Sequence, residues 1–173
     1  MQNIEFKAEL RNIAAARKQC RLLGAERIGV LQQTDTYYKL PDGRLKMREA
    51  PREPVEWIFY HRPDRVSPRM SNYTILNAEQ ARRRWGTQSL KPWLTVNKKR
   101  ELWMLGDVRI HLDEVELLGT FIEFEALVSR RFDVKMCHRA VKELRETFQP
   151  LLGEPISKSY SDLAEQALAE KRL

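Results

Sequence analysis

Seven glycines and eight prolines are spread thinly along 173 residues, leaving no long linker, internal repeat or low-complexity tract. The chain therefore reads as one domain over residues 1–173, long enough for a real core. Long apolar runs are also missing. No stretch approaches the roughly 20 apolar residues that a membrane helix needs. The opening MQNIEFKAEL carries charges where a signal peptide needs an apolar centre. These absences predict a cytoplasmic protein with no membrane partner. Cysteine is scarce too. Cys20 and Cys137 lie in helix-like segments without metal-ligand spacing, which predicts reduced, buried thiols.

Charge is what the chain has in quantity. The net charge is +7, which attracts anions without saying which. Its distribution says more. Residues 3–10 alternate, with Asn3, Glu5, Lys7 and Glu9 on one face and Ile4, Phe6 and Ala8 on the other. Period two means strand. Residues 12–23 read as a helix capped by Asn12 and ended by Gly24. Strands follow at 33–39 and 44–49 around Leu40-Pro41-Asp42-Gly43, then at 55–62. Pro63 and Pro68 bracket a loop carrying Arg65 and Arg69; Arg69 reads as a solvated surface arginine, with a phosphate contact from the loop as its other reading. Asn77 and Gln80 form a capping-box pattern for a helix through Trp85. Strands at 94–104, 107–115 and 120–128 come next, then helices at 133–148 and 159–171, the last capped by Ser159. The order predicts an antiparallel α+β domain.

Several strands share one feature, an apolar face opposed by charges at i, i+2 spacing. The charged sets are Glu5 and Lys7; Arg44, Lys46 and Arg48; Tyr60 and Arg62; Lys98 and Arg100; Arg109, His111 and Asp113; and Glu123 and Glu125. A single such strand is ordinarily the wet face of a sheet. The set differs in two ways. Acids gather on the first and last strands and bases on those between. The charged face is also nearly all ionised groups, with little Thr, Ser or Gln. That pattern suits a sheet curled into a barrel around a highly charged ligand, with helices packed on its apolar exterior. A triphosphate shared with Mg2+ is such a ligand. Lys and Arg neutralise phosphate oxygens, and Mg2+ takes one or two carboxylates plus phosphate. Glu123 and Glu125, two apart on one strand, project to the same side and can hold metal jointly.

These residues resemble the CYTH family, the triphosphate tunnel metalloenzymes, over nearly the whole chain in order. The family hallmark is E-x-E-x-K, and Asn3-Ile4-Glu5-Phe6-Lys7 matches two of its three motif residues. The segments 43–49, 60–64, 96–100, 110–125 and 159–163 resemble its basic strands, acidic hairpin and tail. Two departures stand out. Asn3 replaces the first glutamate with an uncharged oxygen donor, and Leu117 occupies a turn position that is usually glycine.

The resemblance implies a closed eight-stranded antiparallel β-barrel, or tunnel, with a charged interior and outer helices. It implies a divalent cofactor, Mg2+ or Mn2+, and a small-molecule triphosphate partner: ATP, inorganic triphosphate or thiamine triphosphate. Glu5, Asp113, Glu123 and Glu125 are the expected metal ligands. Lys7, Lys46, Arg48, Arg62, Lys98, Arg100 and Arg109 are the expected phosphate contacts, with Glu5, Lys7 and Asp113 as catalytic candidates. Asp113 has a second reading, as an ion-pair partner of Arg109. His111 is read as a hydrogen-bonded filler rather than a base. The activity is a triphosphatase or, alternatively, a class IV adenylate cyclase making cyclic AMP and pyrophosphate; a non-catalytic polyphosphate-binding module is the reading of another class. Cyclase resemblance implies a homodimer, although no apolar patch marks an interface. Arg82-Arg83-Arg84-Trp85 is read as a solvated helix face, since no nucleic-acid motif accompanies it.

Overall fold

The alternation of residues 3–10 becomes β1 (Gln2–Leu10), and this strand closes the sheet on itself. The computed structural model describes residues 1–172. After β1 come α1 (Ile13–Leu22), β2 (Glu26–Leu40), β3 (Gly43–Glu49), β4 (Glu56–His61), β5 (Arg69–Leu76) and α2 (Ala78–Trp85). Then follow β6 (Leu94–Leu105), β7 (Val108–Val115), β8 (Gly119–Leu127), α3 (Val134–Phe148), β9 (Leu152–Pro155) and α4 (Tyr160–Lys171). The sheet order is β5-β4-β3-β2-β6-β7-β8-β1, and β1 also pairs with β5, so eight antiparallel strands form a closed ring. One edge of β1 pairs with β8. The other edge is divided: Gln2–Glu5 pairs with β5, and Ala8 to Leu10 pairs with β9, a ninth strand outside the ring.

The helices end where capping chemistry dictates. Asn12 Oδ1 accepts from the Ala15 amide at 2.9 Å, Asn77 and Gln80 cap each other reciprocally, and Ser159 pairs likewise with Asp162. The outer face of β1, β7 and β8 packs under α1 and α3, joining Ile4, Phe6, Ile110, Ile122 and Phe124 to Cys20, Val141 and Phe148. Each such side chain contributes about 1.5–3 kcal/mol by leaving water. A second outer cluster sets Tyr38, Leu45, Trp57 and Phe59 against Ala81 of α2. The third cluster lies inside the barrel. Tyr37, Val96, Val115 and Phe121 share the inward parity of their strands and meet Tyr160 and Ala164 of α4. They form an apolar floor that period-two reading of single strands does not reveal.

Gly43 closes the β2–β3 turn where the Phe59 ring would stand 2.6 Å from an added Cβ, so only glycine fits. Leu117 holds φ at 70°, the left-handed region that disfavours a branched side chain. Both cysteines are free and buried, and burial pushes the Cys20 thiol up to about 12. No helix among the described residues is long and apolar enough to cross a membrane.

Two expectations need correction. Arg69 opens a strand, Arg69–Leu76, rather than sitting in a loop, and this β5 is the eighth stave that closes the ring. Arg69 is 2% exposed rather than solvated.

Candidate functional site

Barrel closure turns the inward parity of every strand toward one cavity of about 330 Å³. Glu5, Lys7, Lys46, Arg48, Arg62, Lys98, Arg100, Arg109, Glu123 and Glu125 all line it. Thus ten side chains singled out from the sequence converge, although they come from five strands and the turn after β4. Seven basic side chains face four acidic ones there, an excess suited to a polyanion.

One wall is acidic, and register builds it. Glu5 on β1 lies beside Glu125 on β8, and Glu125 lies beside Arg109 on β7. One step deeper, Lys7 lies beside Glu123, and Glu123 beside His111. Lys7 Nζ stands 3.2 Å from Glu123 and 3.8 Å from the centre of the Tyr160 ring. His111 Nδ1 is 3.3 Å from Glu123, and its Nε2 is 3.8 Å from Glu125. His111, Glu123 and Glu125 offer ligand atoms all within 4.8 Å of one another. The Asn3 amide donates to Glu125. Arg62 and Arg69 each approach Glu5 at 3.4 Å. Even so, burial and the neighbouring Glu123 raise the Glu5 carboxyl to about 7. The Glu123 carboxyl is also pushed up by burial, but Lys7 and His111 outweigh that and hold it well below the usual range.

The facing wall is basic. Asp35 on β2 is fully buried between β3 and β6. Lys98 donates to it at 2.8 Å, and Arg48 donates through Nε and Nη2 at 2.8 and 2.9 Å. Burial opposes ionisation of Asp35, yet Lys98, Arg48 and Lys46 together hold its pKa well below the ordinary carboxylate value. Lys46 Nζ lies 3.9 Å from that carboxylate. Burial, aided by the Arg48 charge, lowers the Lys46 ammonium to about 7. Asp113 does not line the cavity. Its oxygens accept from Arg100 at 2.8 and 2.7 Å and from the Tyr160 hydroxyl at 2.7 Å. Its partner is Arg100 rather than Arg109.

The cavity has one sealed end. The segment entering α4 bonds to strands around the ring: Arg69 of β5 donates to the Ser157 carbonyl, Arg44 of β3 to Ser159 and Asp162, and Tyr160 to Asp113 of β7. The apolar floor lies beneath it.

Sequence reading left out Asp35, Gln33, Ser71, Tyr73 and Tyr160. Asp35 and Gln33 share the inward parity of Tyr37 on β2, a signal open to period-two counting. Tyr160 is brought in only by the docking of α4. Two buried acceptors, Asn3 Oδ1 and Gln33 Oε1, have no hydrogen-bond partner among the described residues. Such orphans point to a ligand or water.

The chain matches the CYTH domain family model over residues 1–160. No curated protein matches it in sequence. Among solved structures, a Pyrococcus horikoshii protein superposes with a TM-score of 0.71 at 20% identity, covering 93% of this chain and 98% of that one. A Vibrio parahaemolyticus protein proposed to be an adenylate cyclase gives 0.72 at 20% identity over 94% and 97%. A Hippeastrum protein, proposed as an adenylyl cyclase and described as dominantly a triphosphatase, gives 0.57 at 14% identity over 91% of each chain. At these identities the likeness establishes the fold.

Proposed function

Because this chain belongs to the CYTH domain family, we propose that it is a divalent-metal-dependent enzyme acting on the phosphoryl groups of a triphosphate compound inside its barrel. One observation carries the reading: a single cavity sets a carboxylate wall against a row of buried cations in excess.

The wall fits Mg2+ or Mn2+. Hard divalent ions take carboxylate and amide oxygens, and Glu5, Glu123, Glu125 and the orphan Asn3 Oδ1 supply them, with His111 alongside. A bound ion would act there as a Lewis acid toward a phosphoryl oxygen. The chain's own cations do the remaining electrostatic work. Arg48, Lys98 and Arg100 are held rigid by Asp35 and Asp113, so their charge is preorganised. Lys46, Arg62, Lys7 and Arg109 extend that row along the phosphates. Asp113 acts through Arg100, as a positioning residue. In hydrolysis, water adds to the terminal phosphorus as the bond to the bridging oxygen breaks, and the cation row stabilises charge on the equatorial oxygens.

The cyclase reading, in which the ribose 3′-hydroxyl of ATP attacks the α-phosphorus and releases pyrophosphate, is kept by the Vibrio likeness. A turnover assay with Mg2+ and Mn2+, offering inorganic triphosphate, ATP and thiamine triphosphate, separates the two. Metal-dependent phosphate release lost in a Glu123→Ala, Glu125→Ala double variant establishes the triphosphatase. Cyclic AMP with pyrophosphate establishes the cyclase. Binding without turnover would leave a polyphosphate-binding module.

A further inference from the structure

The open end of the cavity differs chemically from its depth. β2 runs past the end of β3: Thr34–Leu40 pairs with β3, whereas the residues before Thr34 pair with β6 alone. Here β2 is the edge of the sheet, with β6 behind it paired onward to β7, and the two strands turn Leu31 and Leu102 into the cavity near its mouth. From the other side come Ile58 and Ile75, which face each other in register on β4 and β5. β5 and β6 stand four places apart in the ring of eight, the widest separation it allows. Tyr73, next but one to Ile75, adds a ring to the same rim.

This aliphatic rim is out of place in a cavity built only for phosphate. Leu31 and Leu102 are half-buried and Ile75 is 42% exposed, so they do not serve as interior packing. Their neighbour Glu56 argues the same way. It lines the cavity opposite Arg48 in register, but Arg48 turns its guanidinium to Asp35. A carboxylate left at the mouth repels the outer end of an all-phosphate ligand and tolerates a neutral or cationic group. The volume, about 330 Å³, lies at the lower end of pockets that hold organic ligands, roughly 300–1,000 Å³.

We propose that Leu31, Leu102, Ile58 and Ile75 form a clamp for an organic ring, so that the substrate is a ring-bearing triphosphate rather than inorganic triphosphate. The inference rests on the triphosphate reading of the same cavity. The phosphates lie deep among the cations, and the ring lies between the two aliphatic walls with Glu56 beside it.

Calorimetry in Mg2+ with three probes that cannot be turned over tests the clamp: the α,β- and β,γ-bis-methylene analogue of ATP, the β,γ-methylene analogue of thiamine triphosphate, and the bis-methylene analogue of inorganic triphosphate. The expected result is that at least one ring-bearing probe binds tenfold or more tightly than the inorganic one. An Ile75→Thr, Leu102→Thr double variant keeps strand-forming residues and should remove most of that preference. Its affinity for the inorganic probe should stay within about twofold, which also reports that the barrel is folded. Equal weakening of all three probes in the variant, or a preference of less than tenfold for the tighter ring-bearing probe over the inorganic one, overturns the clamp and leaves the triphosphate reading standing. If none of the three binds, both fall together.

Discussion

Arg100 meets Asp113 through two parallel hydrogen bonds, Nε to one carboxylate oxygen at 2.8 Å and Nη2 to the other at 2.7 Å. The carboxylate is fully buried and the guanidinium nearly so. Removing one partner therefore strands a charge. Asp113→Asn is expected to destabilise the protein by about 3–5 kcal/mol, read by urea unfolding. A double variant, Asp113→Leu with Arg100→Met, removes both charges and should lie closer to the parent than the single change.

Tyr160 donates a third bond to that carboxylate, and this tie seats α4. Tyr160→Phe keeps the ring beneath Lys7 and loses only the hydroxyl. Hydrogen bonds to charged groups contribute about 1.5–3 kcal/mol, so a drop of that order in unfolding free energy is expected. Faster amide exchange in the first turn of α4 should accompany it.

Glu5 gives the metal-free protein a pH dependence with a definite sign. Its folded pKa is raised from 4.5 to about 7, by burial first and then by Glu123. The folded state thus holds the proton more tightly than the unfolded chain. The stability this contributes is complete below about pH 4.5 and is lost as pH rises toward 7. About 3 kcal/mol is the order expected from a shift of this size. Thermal unfolding in chelator across that window should show the fall in the parent and a flatter profile in Glu5→Gln.

Asn3 stands where a further carboxylate would face Glu125. Asn3→Glu should raise Mn2+ affinity about tenfold in a calorimetric titration, because another charged oxygen donor faces the ion. In chelator the same variant should be less stable than the parent, because the added charge meets Glu5 and Glu125 unscreened. Unchanged affinity would show that this position does not face the ion.

Leu117 adopts φ of 70° in the β7–β8 turn. Left-handed backbone costs an ordinary residue roughly 1–2 kcal/mol, and the extra chain entropy of glycine offsets part of that. Leu117→Gly should therefore be neutral to stabilising, by up to about 1 kcal/mol, in a comparison of melting temperatures.

Much of the fold was legible because the barrel repeats one simple rule. Over residues 4–9, 108–113 and 122–126 of β1, β7 and β8 apolar and polar residues alternate, so Glu5, Lys7, Glu123 and Glu125 could be assigned to one face. β5 was not legible for the reason that it completes the barrel. Its inward Ser71 and its outward Asn72 and Thr74 are all polar, so no contrast marks the period. Arg69 likewise looks solvated in sequence, since beside the nearby Arg65 carbonyl its partners are Glu5, on the strand that closes the ring, and the Ser157 carbonyl, 88 positions away. The short β9, Leu-Gly-Glu-Pro, is a strand only because β1 has a free half-edge to offer. Asp113 was placed on the correct face, but its engagement by Arg100 depends on the register of β6 against β7.

The segment from Ser157 to Tyr160, seated over Tyr37, Val96, Val115 and Phe121, turns a tube into a cup. A cup has one doorway, so a linear ligand enters tail first and leaves in the reverse sequence. Whatever fragment sits nearest the rim must depart before the fragment at the bottom can follow. The order of release is thereby written into the topology.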